Sequence, residues 1–168
     1  MFFEYRHDFD VALDVLELAV LSPTLIERLA PRLRHIESVV QKEHEVEGGK
    51  LRRVWGYQAD INIPALARGV ITKEMCAWEE ESLYEISTHR GTWTITPNIE
   101  PKWRKLFSAT GSYRLAADGA TSYRIVEGNV ELEVPRVVAE IALRLIIGEI
   151  KKTFEAEADM LREISTGY

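Results

Sequence analysis

The chain opens with a strict alternation of two kinds of side chain. Aromatic and imidazole groups fall on one side of the segment, and Glu4, Arg6 and Asp8 fall on the other. A period of two residues is typical of a β-strand, because successive side chains of a strand point to opposite faces. The pattern therefore predicts a strand over Phe3 to Phe9. The residues on the first side are Phe3, Tyr5, His7 and Phe9.

Two short helices are predicted directly after this strand. Asp10 offers a carboxylate to the free N–H groups of a helix start, and apolar residues then recur at helical spacing. The second helix is predicted to begin at Ser22 and Pro23, because serine caps helix starts and proline is tolerated at the first helical position. Pro31 is predicted to end it. The apolar residues of the first helix are Val11, Val15 and Leu18.

The pattern changes to consecutive strands between His35 and Val134. Gly48-Gly49 and Asp118-Gly119 are tight-turn sequences, and Pro64 interrupts the apolar pattern between them. Strands joined by short turns pair with their neighbours in sequence, which predicts an antiparallel meander of about seven strands, the first strand included. After that first strand, the predicted strands are Ile36 to Val46, Leu51 to Ile61, Ile71 to Trp78, Leu83 to Thr96, Trp103 to Leu115 and Thr121 to Val134.

Three local features of this region carry predictions of their own. Glu79-Glu80-Glu81-Ser82 is interpreted as a solvated turn that joins two strands. Pro97 and Pro101 are predicted to bracket a loop. Gly128, inside the last strand, is interpreted as the site of a β-bulge, because an isolated glycine in a strand often marks one.

A single long helix is predicted from Pro135 to Ile164. About thirty residues that rise 1.5 Å each give a helix of roughly 45 Å. The segment from Val137 to Ile147 is apolar on nearly every side, whereas Lys151 to Glu163 has a charged face. We therefore expect the first half of the helix to be the more buried half. The apolar residues at helical spacing are Val138, Ile141, Leu145, Ile150, Phe154, Leu161 and Ile164.

Short motifs along nearly the whole chain support a family resemblance. They are "FEYRHDFD" at 3–10, "LSP" at 21–23, "INIPALARGV" at 61–70, Trp78, "RGTWTI" at 90–95, "GSYRLAADGATSYRIVEGNVELEVP" at 111–135 and "AEADML" at 156–161. With the order of the predicted elements, they resemble the helix-grip fold of the START and birch-pollen-allergen superfamily, also called SRPBCC. More narrowly, the chain resembles a bacterial branch of that superfamily that is classed as a domain of unknown function.

The resemblance implies an architecture and a general function. It implies an α+β fold in which a curved antiparallel sheet wraps around the C-terminal helix, as one START-like domain over residues 1–168. It also implies a cavity between the sheet and the helix. Members of the superfamily bind apolar or amphipathic small molecules there, lipids among them, and some members catalyse reactions. The resemblance carries no catalytic residue.

Composition and charge narrow the classes of partner. The 168 residues, 46% hydrophobic and 29% charged, fit one globular domain. A formal charge of −6 lacks the cationic excess that phosphate neutralisation needs, so no nucleic acid is expected as a partner. No segment has the ~18 uninterrupted apolar residues of a membrane span, and the N-terminus lacks a secretory pattern. We expect a cytoplasmic protein without stable membrane insertion, and both a monomer and a homo-oligomer stay open.

Neither a metal nor another cofactor is expected. The single cysteine, Cys76, excludes an intrachain disulfide, and without a neighbouring base in sequence it is expected to be a buried, inert thiol. No histidine has another His or Cys at the spacing of a local metal site. Glycine-rich phosphate loops and G-x-S-x-G are also absent from the sequence. The histidines are His7, His35, His44 and His89.

Three features have both a structural and a functional interpretation, and the structural one is favoured in each case. His7 and His89, both predicted in strands, are general bases if they face a cavity and ordinary strand histidines if they do not. Glu79–Glu81 either binds a cation or forms the solvated turn. Glu127 and Asn129 lie beside Gly128, where a bulge would aim them into a site.

The aromatic residues give the most informative signal about function. Tyrosine and tryptophan combine a large apolar surface with one hydrogen-bond donor, which suits a pocket for an amphipathic ligand. Two apolar residues of the long helix complete the predicted lining of the cavity. The predicted lining residues are Trp55, Tyr57, Trp78, Trp93, Phe107, Tyr113, Ile141 and Leu145.

The favoured function is binding of an apolar or amphipathic small molecule, as a carrier or a sensor. It requires a cavity of about 300 Å³ or more. A cyclase- or hydrolase-like enzyme in the same cavity is an alternative, and it requires a charged or imidazole group there with a hydrogen-bonded partner. A protein-interaction module with a filled core is the third alternative.

Overall fold

The computed structural model describes residues 1–60, 62–63, 65, 68–69, 72 and 76–168. Within these ranges the strands are β1 (Phe2–Phe9), β2 (Ile36–Glu47), β3 (Lys50–Ala59), β4 (Ala77–Glu85), β5 (Arg90–Pro97), β6 (Phe107–Asp118) and β7 (Thr121–Leu132). The helices are α1 (Leu13–Val20), α2 (Leu25–Leu29), α3 (Pro101–Arg104) and α4 (Arg136–Ser165), with a 3-10 turn at Ala30–Arg32. Residues 61, 64, 66–67, 70–71 and 73–75 lie outside the described residues, and parts of the predictions for Leu51 to Ile61, Pro64 and Ile71 to Trp78 fall on them.

The described strands form one curved antiparallel sheet in the order β1-β7-β6-β5-β4-β3-β2. From β2 onward each strand pairs with its successor, and β1 pairs with β7 at the far edge. Gly48 and Gly49, with φ of 57° and 74°, turn the chain between β2 and β3, and Gly119, with φ of 62°, does so between β6 and β7. Such φ values suit glycine because it has no Cβ. The predicted α+β helix-grip architecture is confirmed.

The hydrophobic core lies between one face of the sheet and the helices. Helix α4 packs against α1, α2, β1 and β7. Alternate residues of the strands point into this space, so Phe3 and Phe9 of β1 and Val126 and Val130 of β7 are buried. Trp55 of β3 and Trp93 of β5, the two largest buried rings among the described residues, are each 2% exposed.

Both short helices begin two or three residues later than predicted. Helix α1 follows an extended Ala12 rather than Asp10, because the Ser122 hydroxyl donates to the Val11 carbonyl and holds the chain against β7. Helix α2 follows Thr24 rather than Ser22. The predicted apolar face of α1 is also wrong. Leu18 is 51% exposed, and the buried residues are Leu16, Ala19 and Val20. Pro31 lies inside the 3-10 turn.

The prediction of a turn at Glu79 to Ser82 is wrong, because these residues lie inside β4. They pair with β3 on one side and β5 on the other, and the two ladders satisfy the backbone of the segment despite its polarity. The turn lies instead at residues 86–89, and His89 has φ of 54° there rather than a strand conformation. Alternation along β4 now directs Glu80 into the interior together with Trp78, Ser82 and Tyr84.

The predicted bulge at Gly128 is also wrong. Strand β7 pairs without a register shift on both sides, with Gly128 opposite Phe3 of β1 and Gly111 of β6. A Cβ atom on Gly128 would lie 2.3 Å from Cζ2 of Trp93 and 2.8 Å from Cζ of Phe3. Glycine is therefore required here by the close approach of two rings.

Two further expectations fail at the C-terminal part of the chain. The strand predicted from Trp103 begins at Phe107, because Pro101 starts the short helix α3. Helix α4 has the predicted extent, but its second half is the more buried one. Val137 in the first half is 76% exposed. The buried residues are Ala142, Ile150, Phe154, Glu157, Ala158, Met160, Leu161, Ile164 and Ser165.

Candidate functional site

An apolar cavity lies between the sheet and the first half of α4. Its volume is about 90 Å³. The walls come from β4, β5, β6 and the end of β7 on one side and from α4 on the other, and Ile63 and Cys76 also contribute. Glu149 is the one charged residue in the lining that the structure describes. The principal apolar lining residues are Trp78, Ile95, Phe107, Leu132, Leu145 and Ile146.

The predicted lining residues separate into two groups. Trp78, Phe107 and Leu145 line the apolar cavity, and Ile141 does not belong to its described lining. Four of the predicted aromatic residues pack in the core instead, and this packing explains why the cavity is smaller than the expected 300 Å³. The Tyr57 ring, for example, stacks on Trp78 with 5.3 Å between the ring centroids. These four residues are Trp55, Tyr57, Trp93 and Tyr113.

A second, larger depression of about 470 Å³ lies on the other side of the sheet. Its lining includes the outward-facing Leu83, Thr92 and Glu127 and three cationic residues, Lys50, Arg90 and Arg114. Most of its lining residues carry a charge or a hydroxyl group. It is therefore not the apolar cavity that the sequence predicts between the sheet and the helix.

A small polar space, which we call the polar chamber, lies next to the apolar cavity along β4 and α4. Trp78 of β4 and Ile150 of α4 line the cavity. Glu80, two residues further along β4, and Phe154, one turn further along α4, line the chamber. Its volume is about 10 Å³. The polar residues that line it are Arg53, Glu80, Ser82, Tyr113, Arg124 and Glu157.

Glu157 is the centre of the charges in the polar chamber. Arg124 Nη1 donates to Glu157 Oε2 over 2.8 Å, and Arg53 Nη2 donates to Oε1 over 3.3 Å. Burial by itself raises the pKa of the Glu157 carboxyl, but the two guanidinium groups outweigh it and hold this pKa below its ordinary value. Glu157 is therefore a buried carboxylate shared by two arginines.

Glu80 is the one carboxyl of the polar chamber poised to exchange a proton near neutral pH. Its side chain is buried, and burial together with the negative charge of Glu157 raises its pKa from 4.5 to about 7. From the sequence, Glu80 was considered only as one of three carboxyl groups that either bind a cation or form a solvated turn, and its burial was not predicted. The signal was the alternation of Trp78, Glu80 and Tyr84 on one face, which the run of three glutamates obscured.

Several donors around the polar chamber have no hydrogen-bond partner among the described residues. They belong to guanidinium, indole and phenol groups that are each more than nine-tenths buried. Such groups can donate hydrogen bonds to an oxygen atom of a bound molecule, beside the Glu80 carboxyl, which can exchange a proton. The atoms are Arg53 Nε and Nη1, Arg124 Nε, Trp93 Nε1 and Tyr113 Oη.

The two histidines singled out from the sequence have different positions. His7 points inward from β1 and is 8% exposed. Burial, reinforced by the positive charge of Arg124, lowers the pKa of His7 to about 4, so its ring is neutral at neutral pH. His89 faces α1 rather than the cavity, with Nδ1 2.9 Å from Glu17 Oε1, and Tyr84 donates to the same oxygen over 2.6 Å.

Glu127 and Asn129 do not line either interior site. Glu127 is exposed and accepts a hydrogen bond of 2.8 Å from Ser112, and Asn129 donates to Glu131 over 2.7 Å. Cys76 is buried, as expected, and its thiol donates to the Thr72 carbonyl over 3.5 Å. In the part of the chain that the structure describes, no three His, Cys, Asp or Glu residues are grouped to hold a metal ion. Over the same residues, no helix has the length and apolarity needed to cross a membrane.

The sheet wrapped around the long helix is the helix-grip fold, and the solved structures that share this fold include TTHA0849 from Thermus thermophilus. That structure has a TM-score of 0.64 at 15% identity and covers 99% of this chain and 98% of its own. The Zhui aromatase/cyclase from Streptomyces sp. R1128 has a TM-score of 0.65 at 10% identity, with 99% and 93% covered. Norcoclaurine synthase from Thalictrum flavum has a TM-score of 0.65 at 11% identity, with 100% and 87% covered.

The sequence places the chain in one family. It belongs to the family described as "Protein of unknown function (DUF2505)", which matches residues 4–164. No protein of curated function matches it in sequence. The likeness to the solved structures is thus a likeness of fold.

Proposed function

We propose that this protein binds a small apolar or amphipathic molecule in the cavity between the sheet and the first half of α4. The lining of the cavity carries the proposal, since Trp78, Phe107 and Leu145 present apolar surface and Glu149 presents the one described charge. Small-molecule sites are usually apolar concave surfaces with a few placed polar groups. The aromatase/cyclase and the norcoclaurine synthase with the same fold support the use of this interior for small molecules.

The volume of the cavity limits which ligands fit without movement. At about 90 Å³ the cavity does not meet the requirement of about 300 Å³ set from the sequence, and it is also smaller than the ~150 Å³ cavity that accepts benzene. A ligand of more than about four carbon atoms therefore requires the first half of α4 to move away from the sheet. That half is suited to such movement, because Ala142 is the one fully buried residue between Arg136 and Glu149.

A fluorescence titration with the apolar probe N-phenyl-1-naphthylamine, which is large enough to require the movement of α4, tests the proposal. The wild-type protein is expected to bind the probe at one saturable site. Leu145→Phe fills the cavity and is expected to weaken binding at least tenfold, about the effect of 1.4 kcal/mol. Leu83→Phe, on the exposed face of β4, is the matched control and is expected to bind like the wild type. Equal affinity in all three proteins, or the absence of saturable binding, contradicts the proposal.

A second candidate function is a cyclase- or hydrolase-like enzyme that uses the polar chamber. The observation that favours it is Glu80, a buried carboxyl whose pKa is raised to about 7, beside the unpartnered Tyr113 hydroxyl. General acid–base catalysis works best with such a pKa near the working pH. In this candidate function one molecule spans the apolar cavity and the polar chamber, whose linings are two residues apart along β4, at Trp78 and Glu80.

Native mass spectrometry of the purified protein separates the two functions. If Glu80 catalyses a reaction, Glu80→Gln is expected to retain a molecule whose mass differs from that retained by the wild type, because the reaction stops. Glu81→Gln, on the outward face of the same strand, is the control. The same molecule in all three proteins favours binding alone.

A further inference from the structure

The two oxygens of the Glu149 carboxylate have different surroundings. Glu149 lies on α4 and lines the apolar cavity. Lys152, one turn further along the helix, donates from Nζ to Oε1 over 2.7 Å. Oε2 is buried, and among the described residues no group donates a hydrogen bond to it. One half of the carboxylate is thus satisfied, and the other half is not.

The groups closest to Oε2 do not supply the missing donor. His35 Nε2 lies 3.4 Å from Oε2 and also 3.4 Å from Thr153 Oγ1, without hydrogen-bond geometry to the carboxylate. Burial lowers the pKa of His35, so its ring is neutral at neutral pH and brings no positive charge. The Thr153 hydroxyl donates to the backbone carbonyl of Glu149 over 3.0 Å.

An unsatisfied carboxylate oxygen on a residue that lines an apolar cavity favours one kind of guest. Because Oε2 is buried, a guest in the cavity reaches it only when the carboxylate rotates toward the cavity. A buried acceptor without a donor is unfavourable, and a hydrogen bond to a charged group is among the stronger ones in proteins. A guest that donates to Oε2 removes this unfavourable state. A guest that carries a carboxylate brings a like charge into apolar surroundings and is disfavoured.

We propose that the cavity selects a ligand with a hydrogen-bond donor, a hydroxyl or a protonated amine, on an apolar body, and that Glu149 Oε2 accepts this hydrogen bond. The inference rests on the proposed binding function, because the apolar body must occupy the cavity first. It adds the chemical class of the ligand, and it assigns the recognition of the donor to one oxygen atom.

Four small probes of similar size test the inference by NMR titration of the ¹⁵N-labelled protein, with the Trp78 indole signal as the reporter. They are 1-butanol and butylammonium, which donate, methyl propyl ether, which only accepts, and butyrate, which is an anion. The two donors are expected to bind at least about tenfold more tightly than the ether, the effect of one hydrogen bond to a charged group. Butyrate is expected to bind more weakly than the ether.

Two variants of α4 complete the experiment. Glu149→Met keeps the length of the side chain and is expected to abolish the preference for donors while binding of the ether stays unchanged. Glu155→Met, which removes an exposed carboxylate of the same helix, is expected to keep the wild-type preference.

The outcomes for the inference and for the proposed function are distinguishable. Equal affinity of 1-butanol and the ether in the wild type overturns the inference and leaves the proposed function standing. Failure of all four probes to shift the Trp78 signal contradicts the proposed function itself. Because the comparison of probes is made on the wild type, it holds even if Glu149→Met folds poorly.

Discussion

Arg124 on β7 and Glu157 on α4 form a hydrogen-bonded ion pair of 2.8 Å, and both side chains are more than nine-tenths buried. Arg53 on β3 binds the other oxygen of the same carboxylate. Strands from opposite sides of the sheet are thus tied to the second half of the long helix. Because buried ion pairs lose much of their attraction to desolvation, this cluster fixes the position of α4 more than it adds stability.

Replacement of Glu157 by Leu is expected to destabilise the protein by about 3–5 kcal/mol, because two buried guanidinium groups then lack their anion. Urea unfolding measures the change. Asp159→Ala, which removes an exposed pair with Arg162 on the same helix, is the control and is expected to cost less than about 1 kcal/mol. Equal effects of the two substitutions would contradict the assigned role of the cluster.

Glu80 is expected to make the stability of the protein fall as the pH rises from about 4.5 to about 7. In this window the unfolded state has released the proton that folded Glu80 still holds, so a higher pH favours unfolding. Glu80→Gln removes this dependence. The stability of the variant relative to the wild type is expected to grow by up to about 3 kcal/mol between about pH 5 and about pH 8.

Urea unfolding at the two pH values checks this expectation for Glu80. Glu81→Gln, which changes the neighbouring outward-facing carboxylate, is expected to leave the pH dependence of the wild type unchanged. A constant difference between Glu80→Gln and the wild type at both pH values would show that the pKa of Glu80 is not raised in the folded state.

Two glycine substitutions are expected to have opposite signs. Gly128→Ala places a Cβ 2.3 Å from Trp93 Cζ2, so it is expected to destabilise by about 1–3 kcal/mol through overpacking. Gly148→Ala in α4 meets no described atom within 4 Å and is expected to stabilise by about 0.5–1 kcal/mol through helix propensity. Thermal unfolding of both variants checks the signs. If Gly128→Ala is as stable as the wild type, the close approach of Trp93 to Gly128 is contradicted and the predicted bulge is favoured.

The two halves of α4 are expected to respond differently to the loss of a leucine side chain. Leu161→Ala, at a fully buried position, is expected to cost about 2–5 kcal/mol. Leu145→Ala, at the half-buried wall of the apolar cavity, is expected to cost only about 1 kcal/mol. Denaturant midpoints measure both. A larger loss of stability for Leu145→Ala than for Leu161→Ala would indicate that the first half of the helix belongs to the core.

Local patterns in the sequence were sufficient for most of the elements but not for all their boundaries. The alternation at Phe3 to Phe9 and the helical spacing after Pro135 each arise from neighbouring residues, so both elements were predicted correctly. The prediction of a turn at Glu79 to Ser82 was wrong because a strand accepts polar residues where solvent or other polar side chains face them. Here two arginines from other strands line the same polar chamber as Glu80, and a local window of sequence does not show that the fold brings them together.

The candidate site shows the same division between local and distant information. Aromatic residues indicated an interior with large apolar surfaces, and Trp78, Phe107 and Leu145 do line the apolar cavity. Which rings fill space and which leave it open depends on packing between strands. Trp93 fills the volume above Gly128, and nothing in the sequence around either residue relates the two.

The sequence by itself determined the order of the elements, the antiparallel meander with its glycine turns and the extent of the long helix, because propensity and periodicity are properties of neighbouring residues. Only the tertiary structure decided which half of α4 is buried, since that depends on where α1, α2 and the strands β1 and β7 lie. It also decided that Arg53, Glu80, Arg124 and Glu157 form one polar chamber. Charges from three strands and a helix meet there because the sheet curves around α4, and no local pattern encodes that meeting.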